Sequence, residues 1–280
     1  MEINVAPQRI LVFTDQLSFE DAKKKAWDKK LSAFGAMNQV ASLFSKPKDE
    51  DFELTYSEHR FQPFWHVAAK ARYVYDRTHD YQIPASEKHV KAVTYEKTKF
   101  EVSSGHFHFP VVEHCVQEES DEVFVEGVSG KTNPSLKDYV SLFPTLVTTT
   151  LEKIVGKDAI IVPPQSRVSG IMRDSLSKMI KGIQADTIHE EAVEVTCVDL
   201  YYHPVYAFQY TWKTKRKDAI VEVDGLTGTV STGSRVFSEY MGKVLDPNFL
   251  FDVGADAAGL LIPGGSIAVK VAKKYIDSKK

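Results

Sequence analysis

The stretch Ser104-Gly105-His106-Phe107-His108-Phe109 carries side chains well suited to metal chemistry. Side chains alternate between the two faces of a strand, so His106 and His108 share one face, with His114 and Cys115 close behind. Imidazole nitrogens at this spacing, with a third His or a thiolate nearby, can hold zinc or another transition metal. His106, His108 and His114 are therefore the candidate metal ligands, and a metal-dependent enzyme is the activity they would serve. Their spacing matches no established zinc motif. The competing reading needs no cofactor: Phe107 and Phe109 bury the strand and leave the histidines in solvent.

Other motifs carry less. Gly130-Lys131-Thr132 after a strand imitates a phosphate-binding loop, but Val125 stands where the first glycine is required and Pro134 delays the helix. His189-Glu190-Glu191 lacks a second histidine one turn on, and no G-x-S-x-G elbow occurs. Asp199, Glu58, Thr55 and Thr196 are expected at solvent-facing strand positions, so no catalytic residue is assigned. Trp212-Lys213-Thr214-Lys215-Arg216-Lys217 reads as a solvated hairpin tip.

These groups need a frame, and composition bounds it. The 280 residues suffice for one large domain or two ordinary ones. Apolar residues at 43% and charged residues at 26% fit a folded chain and exclude a disordered one. With a net charge of −3, no global field draws in polyanions, and nucleic acid is not an expected partner. The two cysteines, Cys115 and Cys197, sit in apolar surroundings and are expected as reduced thiols in a cytoplasmic protein. The opening residues predict a strand at Arg9–Phe13, not a signal peptide, and no apolar run is long enough to span a membrane.

Periodicity then places the elements. Ser18 caps a helix whose apolar stripe runs from Trp27 through Leu31 and Phe34 to Phe44, and Pro47 ends it. Strands are expected at Phe64–Tyr75, at Tyr81–Ile83 after a turn over Asp76–Asp80, and in short pieces out to Val125. A helix follows Pro134 and continues past a kink at Pro144 to Ile154. A strand at Ala159–Val162, a helix over Val168–Ile183 and a second strand block complete the body.

The stretch ELTYSEHRFQPFWHV (53–67) is echoed by EVTCVDLYYHPVYAF (194–208), sharing Glu53/Glu194, Thr55/Thr196 and Pro63/Pro204. Each copy follows an amphipathic helix and leads into a hairpin. The expected fold is therefore α+β, with two related helix-plus-antiparallel-sheet halves arising from an internal duplication: 1–130, 131–233, and a Gly-rich tail at 234–280. The shared proline is expected where one strand ends before the next begins. Where the copies differ, as at His66 against Ala207, any function has to be sought.

The second hairpin, Val205–Trp212 and Ala219–Val223, closes on Val223, Asp224, Thr227, Gly228 and Val230. Across residues 167–233 it resembles the PepSY and PepSY-like domains. That resemblance implies a small non-catalytic module that inhibits or regulates a protein partner. PepSY proteins are mostly exported or membrane-anchored, and this chain shows no export signal. The tail, with Pro263-Gly264-Gly265 between apolar runs and lysines at its end, is expected to form a helical hairpin on the body. Its alternative is a peripheral membrane or partner contact. The expected function is non-enzymatic binding of a protein or peptide, with the metal-dependent enzyme as its alternative.

Overall fold

The computed structural model describes residues 2–35, 47–148, 159–180, 182–233 and 268–271. Its elements are β1 (Glu2–Val5), β2 (Arg9–Phe13), α1 (Phe19–Ala33), β3 (Phe52–Pro84), β4 (Ala92–Tyr95), β5 (Thr98–Glu101) and β6 (His106–Glu126). They continue with α2 (Leu136–Leu142), β7 (Thr145–Thr148), β8 (Ile160–Ile161) and α3 (Val168–Met179). The last are β9 (Thr187–Trp212), β10 (Lys217–Asp224), β11 (Val230–Gly233) and β12 (Ala268–Val271). Most of the tail at 234–280, and with it the expected helical hairpin and membrane contact, lies outside the described residues. Among those described, no helix is long and apolar enough to cross a membrane.

The expected pair of helix-plus-sheet halves is not what forms. The chain is mostly β, with three α-helices among the described residues and one mixed sheet that contains both strand blocks. Strands β3 and β9, 33 and 26 residues long, run antiparallel from Phe52↔Trp212 to Asp76↔Thr187. The outer side of β9 receives β1 and β2 in parallel and β10 antiparallel. The outer side of β3 receives β8 and then β6. Thus 53–67 and 194–208 lie side by side in one sheet, and neither proline ends a strand.

The prolines mark something else. Pro204 falls between the stretch of β9 that pairs β2 and the stretch that pairs β10, and Pro63 falls between the β8 and β6 pairings of β3. A missing N–H is harmless where the outer neighbour changes. Each proline keeps its carbonyl in use. Pro63 accepts from the Gly127 amide at 2.8 Å, and Pro204 accepts from the Gly225 amide at 2.9 Å.

The turns that supply these amides also match. In Glu126–Lys131 and Asp224–Thr229 the first residue's N–H donates to the sixth residue's carbonyl, and Gly130 and Gly228 have φ of 72° and 70°. The imitation of a phosphate loop at Gly130-Lys131-Thr132 is this turn, not a helix entry.

The helices cross over. Ala22 and Ala26 of α1 allow close approach to Tyr206, Phe208, Tyr210 and Trp212 of β9 and to Val221 and Val223 of β10. Val168, Met172, Leu176 and Met179 of α3 pack on Trp65, Val67, Ala69, Ala71 and Tyr73 of β3. Each helix therefore covers the hairpin that does not follow it in sequence. The Ser18 cap forms as expected, accepting from the Asp21 amide at 3.1 Å. On the opposite face, α2 closes a smaller core of Leu11, Phe13, Phe64, Phe124, Tyr201 and Leu226.

A Cβ on Gly127 would lie 2.7 Å from the Pro63 carbonyl oxygen, and one on Gly225 would lie 2.9 Å from that of Pro204. Gly127→Ala and Gly225→Ala are each expected to lower stability by about 1–3 kcal/mol through overpacking. Gly170→Ala, in open space within α3, is expected to raise it by about 0.5–1 kcal/mol. Urea midpoints of the three variants check both signs.

Candidate functional site

Residues on the α2-covered face of four neighbouring strands converge at the centre of the sheet. His66 of β3 stands opposite Asp199 of β9, Ala68 stands opposite Cys197, and Arg9 of β2 stands beyond Asp199. Local register explains why. Between Ala68↔Cys197 and Ala69↔Val195 the pairing slips, leaving Thr196 without an opposite residue, and its hydroxyl donates to the Ala68 carbonyl at 3.3 Å. The extra residue reverses which face the side chains take. Val193 and Val195 point into the large core, as do Val198 and Leu200 beyond the slip. Cys197 and Asp199 consequently share the face of His66.

Cys197 Sγ lies 3.4 Å from His66 Nδ1, and Glu122 of β6 lies 3.0 Å from His66 Nε2. The imidazole stacks on Phe124 at 4.3 Å between centroids. Arg9 grips the buried Asp199 carboxylate with two bonds, of 2.7 and 2.5 Å. Lys137 of α2 donates to Glu122 at 2.6 Å. Electrostatics follow from this packing. Burial, and then the neighbouring Asp199 carboxylate, push the Cys197 thiol up to about 12. Burial also lowers His66 against the opposing pull of Glu122, while the Lys137 ammonium holds Glu122 below the usual carboxylate range. At neutral pH the cluster is a thiol, a neutral imidazole and an arginine–aspartate pair. The thiol is not an activated nucleophile.

A second polar group lies on the same face. Arg60, fully buried, donates to Glu58 at 2.7 Å and to Glu222. With the Gln62 amide turned to present its oxygen, that oxygen accepts from the same guanidinium at 2.8 and 2.9 Å. The Tyr56 hydroxyl donates to the other Glu58 oxygen at 3.0 Å. Beside this network a cavity of about 350 Å³ is lined by Gln62, Phe64, Glu126, Asn133, Tyr139 and His203. Tyr139 stacks on His203 and donates to Asp224 at 2.6 Å. Burial lowers the His203 pKa. Glu58 and Asp199, expected in solvent, are 5% and 1% exposed, and both are held by arginines.

The sequence-based candidates sit elsewhere. His106, His108 and His114 do share one exposed face of β6, but six residues of extended strand, roughly 20 Å, separate His108 from His114. His108 Nδ1 lies 2.6 Å from Asp80, His114 Nδ1 lies 2.7 Å from Asp76, and His106 Nδ1 lies 3.1 Å from the Ser104 carbonyl. His189 Nε2 shares Asp76 with His114. Among the described residues, the one group of three His, Cys or acidic donors close enough for a single ion is His66, Cys197 and Asp199. In the sequence, His66 stands out only as a difference between the two echoed stretches, and nothing local brings Cys197 beside it.

Folding must keep His66 and His203 neutral, because burial lowers both below their unfolded value of about 6.5. Below pH 6.5 the unfolded chain binds protons that the folded chain refuses. Stability is thus complete above that value and lost as pH falls through the depressed folded pKa values. The urea midpoint is expected to fall between pH 6.5 and 5, before carboxylate protonation contributes. The His66→Asn/His203→Asn double variant should flatten that fall. No family model, curated protein or solved structure matches this chain.

Proposed function

We propose that this chain is a cytoplasmic, non-enzymatic binding protein that takes up an extended segment of a protein or peptide partner along the outer edge of β6. The supporting observation is the pairing of that strand. Over Phe64↔Glu126 to Pro84↔His106, β6 is bonded to β3 on one side. On the other side, among the described residues, it has bridges only near its ends, at Ser103–His106 and Val125–Thr132. Among the described residues, residues 107–118 of β6 pair with no strand on that side, which makes this edge a template for strand addition.

Side chains add selectivity. Val112 and Val116 lie four positions apart on one face of the edge, 56% and 60% exposed, and would be covered by alternate apolar side chains of an added strand. Beyond Asp76 the β3–β6 ribbon continues without β9 alongside, which leaves a projecting arm clear of the main core. The protonated thiol at the centre of the sheet favours holding over nucleophilic attack. Both cysteines are free thiols, which fits a reducing compartment.

Selecting 12-residue peptides from a random library on the full chain tests the reading. Bound peptides are expected to slow amide exchange within residues 106–121. Val112→Asp/Val116→Asp should weaken them at least tenfold while leaving the urea midpoint within its error. Selection of no binder, protection confined to other segments, or unchanged affinity in the double variant would overturn it.

A further inference from the structure

We infer that His66 Nδ1, Cys197 Sγ and the Asp199 carboxylate form a three-donor site for a zinc-like divalent cation, separate from the β6 edge and independent of the function proposed there. Three observations converge on it. The ligand atoms all lie within 4.8 Å of one another, and the Sγ–Nδ1 separation is 3.4 Å. Donors about 2.0–2.3 Å from a tetrahedral ion stand roughly 3.5 Å apart, so little movement would close the site. Thiolate, imidazole and carboxylate together suit a borderline-soft ion such as zinc better than calcium or magnesium.

The surroundings orient the donors. Glu122 sits on His66 Nε2, which fixes the tautomer that leaves the Nδ1 lone pair facing Cys197 and Asp199. Lys137 on one side and Phe124 beneath hold that carboxylate–imidazole pair in place. The slip at Thr196 brings Cys197 and Asp199 to this face, and register breaks of this kind gather beside functional sites. Arg9 occupies one lone pair on each Asp199 oxygen, and each oxygen retains a second. Arg9 therefore stands behind Asp199 as its orienting partner and tempers its charge.

Binding requires the thiol to give up its proton: a Cys197 sulfur–metal bond forms, the S–H bond breaks, and one proton passes to buffer. Three protein ligands leave a fourth position for water or a ligand atom.

Cobalt(II) reports the site directly, because a thiolate ligand gives it a near-ultraviolet charge-transfer band. Full-length protein stripped with chelator is expected to develop that band with one equivalent of Co²⁺ and lose it to Zn²⁺. About one proton should be released per ion, measured by calorimetry in buffers of different ionisation enthalpy. Cys197→Ser should abolish the band and Cys115→Ser should keep it. Glu122→Gln should weaken binding by about 10–100-fold without removing the band. His66→Gln gives a second ligand variant should Cys197→Ser fail to fold, and it should lower cobalt affinity by at least the same factor. Absence of the band in the stripped wild-type chain, its survival in Cys197→Ser, or its loss in Cys115→Ser would overturn the assignment.

Discussion

The antiparallel pairing of β3 with β9 is the constraint on which the rest depends. Every other strand of the sheet attaches to the outer side of one of these two or to a strand already attached there. Because side chains alternate strictly along a strand, fixing this register fixes both faces of the molecule at once. One face carries Trp65, Val67, Val198, Leu200 and Tyr202 into the large core, and the other carries His66, Cys197 and Asp199. The register shifts beside Thr55, Thr196 and His189 are therefore consequential. Remove the one at Thr196 and Asp199 would enter the hydrocarbon core, where an unpaired carboxylate is costly.

The same pairing explains the crossed helices. Placing the two hairpins edge to edge brings β9 and β10 within reach of α1, and β3 within reach of α3, so each helix finds its apolar surface on the other strand block. Neither block packs as an independent half. The matched turns at Glu126–Lys131 and Asp224–Thr229 sit where Pro63 and Pro204 leave the ladder, and they return an N–H to each proline carbonyl. Backbone satisfaction at both switch points is thereby retained.

Much of this was legible locally. The Ser18 cap, the helix expected over Val168–Ile183 (formed over Val168–Met179) and the hairpin around Lys213–Arg216 each rest on neighbours in sequence, and each is present. The continuity of β3 was not legible. Residues 77–80, expected as part of a turn, are exposed on both sides of a projecting ribbon, so no apolar alternation marks them as strand. The central site was hidden for another reason: His66 and Cys197 meet only through a long-range register. The bulge at Thr196 sets Cys197 and Asp199 on the face of His66, where Asp199 is buried and not in solvent. In the echoed stretches, Thr55 and Thr196 are both bulge residues bonded to a carbonyl of the opposite strand, and Pro63 and Pro204 are both neighbour switches. The shared residues mark local geometry within one sheet.

Native-state amide hydrogen exchange across β3 and β9 tests the single-sheet account most directly. If the two strands form one cooperative unit, their central amides should share one opening free energy, equal to that of global unfolding, and lose protection at the same urea concentration. Opening of residues 60–72 while residues 194–206 stay protected, or the reverse, would show two separately folding halves and contradict the account.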